Sequence, residues 1–144
     1  MRELEIFVDG ACSGNPGPAG IGVAIFENGQ VIKEISQTIG DATNNIAEYS
    51  ALLCALKEAK ELKAEKLKIF TDSELMYHQI AGRYKINNPK LKSLFDEIQV
   101  LVKGFKSFNL SHVPREKNKD ADRLATGAIK QKKQAKMGAC SSSQ

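Results

Sequence analysis

The sequence predicts an α/β fold with one mixed five-stranded sheet, element order βββαβααβα, flanked by helices. Three observations carry this. The chain opens on an apolar alternation, and two further alternating runs fold about Asn28-Gly29, a hairpin dipeptide. Two more short strand-like runs lie downstream, separated by segments of helical periodicity. A hairpin followed by alternating strands and helices argues for a mixed sheet covered by helices.

Leu4, Ile6 and Val8 alternate with Glu3, Glu5 and Phe7, a first strand that runs out at Asp9. A loop rich in Gly and Pro follows, then "IGVAIFENGQVIKEISQTI", the second and third strands. In "TNNIAEYSALLCALKEAKELKAE", Ile46, Tyr49, Leu52, Leu53 and Leu56 recur at helical spacing and Leu62 extends the stripe, with Thr43, Asn44 or Asn45 as the N-cap. "KLKIFTDS" reads as a buried fourth strand ending at Asp72, with Ser73 capping a helix over "ELMYHQIAG". Pro89 opens another helix whose face carries Leu91, Leu94, Phe95, Ile98, Leu101 and Val102. "FKSFNLSHVP" alternates as a fifth strand, and "KDADRLATGAIK" reads as the last helix.

With 144 residues, 42% of them hydrophobic, the chain suits one domain with a single core, over residues 1–129. From 130 to 144 the composition turns Lys-rich and then Ser-rich, which predicts a frayed tail. A net charge of +4 fits a polyanionic partner. No apolar run approaches membrane-spanning length, and the charged N-terminus does not read as a signal peptide. The expectation is a cytoplasmic monomer with no membrane partner. Cys12, Cys54 and Cys140 make no zinc pattern. Cys54 falls beside Ser50, Glu58 and Glu61 on a face read as accessible. Either a Cys54–Cys140 bond pins the tail to the first long helix, or a reducing interior keeps both as thiols.

Four acids stand out by position: Asp9 and Asp72 at strand ends, Glu48 in the first turn of the first long helix, Asp122 in the first turn of the last. Sites in open α/β sheets form beyond the carboxyl ends of strands. If strands one and four are parallel neighbours, Asp9 and Asp72 emerge at one edge, and Glu48 projects towards it from the rim of the apolar stripe. Each acid alone has an ordinary explanation. Glu48 and Asp122 complement a helix dipole, Asp72 makes an Asx turn or cap, and Asp9 opens a turn before Gly10. Together, four ionised carboxylates would repel one another and raise their pKa values. A divalent cation removes that cost, and an all-oxygen donor set points to Mg²⁺ or Mn²⁺.

The stretches "FVDGACSGNPGPAGIGVAI", "TNNIAEYSALLCAL", "IFTDSELM" and "HVPREKNKDADRLA" resemble type 1 ribonuclease H in order and spacing, over about residues 4–129. The resemblance implies a ribonuclease H-like fold and an endonuclease that cuts the RNA strand of RNA–DNA hybrids. It implies that Asp9, Glu48, Asp72 and Asp122 are the catalytic, metal-binding acids for two Mg²⁺ ions, with Mn²⁺ as a substitute. Asp9 would bridge both ions, Asp122 would share the ion that activates water, and Glu48 and Asp72 would share the ion at the leaving 3′ oxygen. Products would carry 5′-phosphate and 3′-hydroxyl ends. Gly10, Gly14 and Gly17 would let backbone approach the nucleic acid. Asn15 and Asn45, with Asn44 between capping and contact, would reach the minor groove, where the 2′-hydroxyl marks RNA. Thr43 would meet a DNA-strand phosphate, with Asn87 a second candidate there, and Ser73 would lie beside the substrate.

The chain departs from the family in three places. Where many members carry a mobile His, "SHVPREKNKDAD" puts His112 inside the fifth strand, a structural position, and Arg115 nearer the loop. Arg115 either contacts a phosphate or pairs with Glu116 at the surface. Glu74 stands where members often have Gln, and a carboxylate cannot donate the amide's hydrogen bonds. The basic, aromatic protrusion of some members is reduced to Arg83, Tyr84 and Lys85. These departures predict weaker hybrid binding with a strong salt dependence. Lys130, Lys132, Lys133 and Lys136 either compensate or form a solvated end. The alternatives are a broader nuclease that also cuts RNA–RNA duplexes, a non-catalytic hybrid-binding module, and a domain detached from a reverse transcriptase.

Overall fold

The computed structural model describes residues 2–130. The expected order is observed. β1 (Glu3–Cys12), β2 (Gly17–Glu27) and β3 (Gln30–Ala42) form an antiparallel meander. β4 (Lys66–Thr71) pairs parallel with β1, and β5 (Ser107–His112) parallel with β4, giving the strand order β3-β2-β1-β4-β5. The helices are α1 (Asn44–Glu61), α2 (Glu74–Ile80), α3 (Pro89–Val102) and α4 (Lys119–Lys130), and a short 3-10 turn at Arg115–Lys117 precedes α4. Among the described residues no helix is long and apolar enough to cross a membrane.

Local chemistry accounts for the boundaries. Asn28 and Gly29 take φ of 53° and 81°, the left-handed values that a tight hairpin turn demands. Thr43, rather than Asn44 or Asn45, caps α1: its Oγ1 accepts from the Ile46 N–H at 3.2 Å. Ser73 caps α2 through the Met76 N–H, and Asn88 caps α3 just before Pro89.

The two faces of the sheet differ. On one, Leu4, Ile6 and Val8 of β1 join Ile21, Val23 and Ile25 of β2, all 2% exposed or less. They form one buried cluster with Ala47, Leu52, Leu56 and Ala59 of α1 and Leu91 and Ile98 of α3. Burying each large aliphatic here contributes about 1.5–3 kcal/mol. On the other face β2 presents Gly20 and Gly22 to Ala121, Ala125 and Ala128 of α4, backbone close to backbone. The first face supplies most of the apolar burial, and the second supplies close approach.

Three sequence expectations change. Asp9 does not end β1: the ladder with β2 continues to Cys12↔Ala19. Glu48 lies beyond the first turn of α1, which holds no acid. Cys54 is buried, at 5% exposure, because the polar side of the helical wheel is covered by β2 and β3 as well. Cys140, Lys132, Lys133 and Lys136 lie outside the described residues, as does the Cys54–Cys140 pairing.

Candidate metal centre

The last pair that β1 and β4 share is Val8↔Thr71, and the next residue of each strand is an acid. Asp9 and Asp72 therefore stand side by side where the parallel strands part. Asp9 remains in the β1–β2 ladder opposite Gly22 and is 5% exposed. The next residue, Gly10, faces α1. A Cβ there would collide with the backbone of Ala47 and Glu48. Its absence lets α1 lie against β1, and the Gly10 N–H donates to Glu48 Oε1 at 3.1 Å. One carboxylate oxygen each from Asp9, Glu48 and Asp72 lies within 4.8 Å of the others.

Asp122 arrives from the opposite face. α4 packs on Gly22, directly across the ladder from Asp9, and brings the Asp122 carboxyl close enough to act on that of Asp9. Asn118 ties down the start of α4. It is fully buried, its Nδ2 donates to the Val8 carbonyl at 2.9 Å, and its own carbonyl accepts from the Asp122 N–H at 3.0 Å.

The electrostatic cost of this convergence is visible. Burial above all, then the charge of Asp72, then the neighbouring Asp122 carboxyl, raise the Asp9 carboxyl from 3.8 to about 8, against the opposing Gly10 N–H. Burial, with Asp9 and Asp72, holds Glu48 well above the usual carboxylate range. A cluster of oxygen donors that resists ionisation alone suits a hard divalent cation, whose charge would stabilise all four carboxylates. Of the four acids expected to meet, Asp9, Glu48 and Asp72 come together within 4.8 Å, and Asp122 acts on Asp9 from the start of α4.

Beside the acids lies an open groove of roughly 460 Å³, lined by Asn15, Thr43, Asn44, Asn45, Glu48 and Ser73 among others. Asn15 Oδ1 accepts from the Asn44 N–H at 3.0 Å, joining the β1–β2 loop to the start of α1. Asn44 Oδ1 accepts from the Cys12 thiol at 3.0 Å. Asn87 is not among the lining residues: it is exposed on the loop before α3. Arg115 does not pair with Glu116. Its guanidinium, 79% exposed, lies 3.6 Å from Asp122 Oδ1.

The glycines need correction. Gly10 faces α1, and a Cβ on Gly17 would strike the Ser13 carbonyl. Gly14, at φ 94°, serves a turn that packs on Pro16. All three shape the protein itself before any ligand arrives. Gly22, Asn118 and Gln79 were missed. Glycines alternating in a strand and alanines spaced three or four apart in a later helix were the available signal for Gly22. Neither amide had one, since a buried polar residue breaks no hydrophobic pattern.

The chain matches the family model described as reverse transcriptase-like over residues 7–128. It is 40% identical over 129 residues to a bifunctional protein of Mycobacterium tuberculosis, covering 88% of this chain and 35% of that protein. It is also 40% identical over 127 residues to ribonuclease HI of Halobacterium salinarum, covering 88% of this chain and 64% of that one. The chain thus spans from about a third to somewhat under two thirds of these relatives' length. A solved structure of LC11-RNase H1 in complex with an RNA/DNA hybrid superposes with a TM-score of 0.85 at 38% identity, covering 91% of this chain and 99% of that one.

Proposed function

Since the chain belongs to the ribonuclease H family, we propose that it hydrolyses the RNA strand of RNA–DNA hybrids with two divalent cations, Mg²⁺ by preference and Mn²⁺ as a substitute. Its products carry 5′-phosphate and 3′-hydroxyl ends. The observation that carries this is the meeting of Asp9, Glu48 and Asp72 within 4.8 Å. The hybrid held by LC11-RNase H1 supports the substrate class.

When bound, the cations supply an activated water and neutralise charge on the attacking and leaving oxygens of an in-line displacement at phosphorus. The residues of the chain divide the remaining work. Asp9, with Asp72 and Asp122 both acting on it, would contribute to holding both ions. Asp122 would help hold the ion that activates water, and Glu48 with Asp72 the ion that neutralises the leaving oxygen. The Gly10 N–H holds the Glu48 carboxylate in orientation. The exposed Arg115 guanidinium supports a phosphate contact. Asn15 and Asn45 in the groove support recognition of the RNA minor groove, and Thr43 a DNA-strand phosphate.

The test is cleavage of labelled RNA–DNA, RNA–RNA and DNA–DNA duplexes with Mg²⁺, Mn²⁺ or EDTA, with Asp9→Asn alongside. Metal-dependent cutting of the hybrid's RNA strand, lost in Asp9→Asn, establishes the reading. RNA–RNA cutting in Mn²⁺ would widen the substrate range to double-stranded RNA. Intact binding with no cutting of any duplex would leave a binding module.

A further inference from the structure

Gln79, near the end of α2, is 6% exposed, and its amide joins three segments. Its Nε2 donates to the Lys85 backbone carbonyl at 3.2 Å, in the connection between α2 and α3. Its Oε1 accepts from the Tyr49 hydroxyl at 2.8 Å and from Asn45 Nδ2 at 3.3 Å. Asn45 and Tyr49 lie four residues apart, on one face of α1.

The roles in this relay are not interchangeable. A backbone carbonyl only accepts, so Lys85 requires the NH₂ of Gln79 and turns the Gln79 oxygen towards α1. That oxygen in turn requires the NH₂ of Asn45. The carbonyl oxygen of Asn45 is left facing the other way, buried and without a hydrogen-bond partner among the described residues. Asn45 lines the groove beside Asn15, Asn44 and Glu48. A buried acceptor without a donor is costly, so a ligand that brings a donor is favoured over one that does not. A ribose 2′-hydroxyl donates, and a deoxyribose offers nothing there.

We propose that Gln79 is a positioning residue for strand discrimination, fixing the polarity of the Asn45 amide so that its acceptor meets a sugar hydroxyl of the RNA strand. The inference rests on the ribonuclease H reading. Its test is single-turnover cleavage of hybrids in which one ribonucleotide at a time is replaced by its 2′-deoxy counterpart. The wild-type protein is expected to show one position slowed about tenfold, the worth of one hydrogen bond. In Gln79→Leu that slowing shrinks to about twofold or less, the rest of the profile keeps its shape, and Mg²⁺ binding by calorimetry is unchanged. Gln79→Glu keeps the acceptor for Asn45 and retains more of the slowing than Leu. Should Gln79→Leu fail to fold, Gln79→Met takes its place in the same series.

A Gln79→Leu profile with the wild-type position and size of slowing, whatever its overall rate, would reduce Gln79 to a packing residue and overturn the inference. A wild-type profile with no position-specific slowing overturns it too, while hybrid cleavage itself keeps the ribonuclease reading. A wild-type protein that cuts no hybrid overturns both.

Discussion

Replacing Gly22 with alanine places a methyl group where β2 and α4 nearly touch. The new Cβ would overlap the Ala121 carbonyl oxygen and lie 2.6 Å from the Ala125 N and 2.8 Å from the Leu124 Cβ. Backbone atoms cannot swing aside, so α4 must retreat. Bringing the 2.6 Å approach out to about 3.4 Å moves the helix by about 0.8 Å, and the tighter overlap with the Ala121 carbonyl oxygen requires at least that. Asp122 sits one residue beyond Ala121 and moves with it, away from Asp9. Mg²⁺ tolerates little departure from its octahedron, and a misplacement near 1 Å costs about 100-fold in rate. We therefore expect Gly22→Ala to lower kcat on a labelled hybrid by about 10- to 100-fold. Overpacking should cost about 1–3 kcal/mol, a fall in Tm of roughly 3–10 °C. Gly20→Ala is the control. Its Cβ meets the Ala125 carbonyl oxygen and the Ala128 Cβ at 2.8 Å, farther along α4 from Asp122. It should lose similar stability and much less kcat. Equal kcat for Gly22→Ala and wild type in single-turnover assays below both melting temperatures would refute the claim that this contact sets Asp122.

The remaining predictions concern charge and sulfur. Because the Asp9 carboxyl rises from 3.8 to about 8 on folding, the folded state holds its proton more tightly than the unfolded one. Its contribution to metal-free stability is therefore greatest below pH 4 and is lost as pH rises towards 8, by on the order of a few kcal/mol. Metal-free melts at pH 5 and pH 8 should show the wild type losing more Tm than Asp9→Asn, and Mg²⁺ at pH 8 should raise the wild-type Tm and not that of the variant. A parallel fall in the two would count against the carboxylate clash. Arg115→Ala should weaken hybrid binding and reduce the magnitude of the salt slope by about one ion, and an unchanged slope would place the guanidinium off the phosphates. Thiol titration of denatured, unreduced protein decides between the Cys54–Cys140 bond and free thiols: one thiol per chain supports the bond, and three exclude it.

Much of this fold was legible because periodicity reports burial. Leu4, Ile6 and Val8 read as a strand and pack as one, and the α4 boundaries Lys119–Lys130 match those read from "KDADRLATGAIK". The acids were legible because the parallel strands β1 and β4 part just before Asp9 and Asp72, the edge at which α/β sheets build sites. What escaped depends on partners distant in sequence. A helical wheel assumes that one side of a helix meets solvent, but α1 is covered on the Cys54 side as well, by Ile21, Gln37 and Ile39. Gly10 read as a gap for a ligand, and it is a gap for α1. Asn118 bonds the Val8 carbonyl and Gln79 bonds Asn45 and Tyr49, contacts across the chain that no local pattern encodes.

The close seating of α4 on Gly20 and Gly22 also bears on how the protein is made. Domains fold from the N-terminus as the ribosome extends the chain. Asp9, Glu48 and Asp72 belong to elements complete by residue 80, whereas Asp122 enters only with the last described helix. Until α4 is made, a nascent chain therefore holds three of the four acids without the last. The acidic cluster closes only when α4 has emerged and found its two glycines.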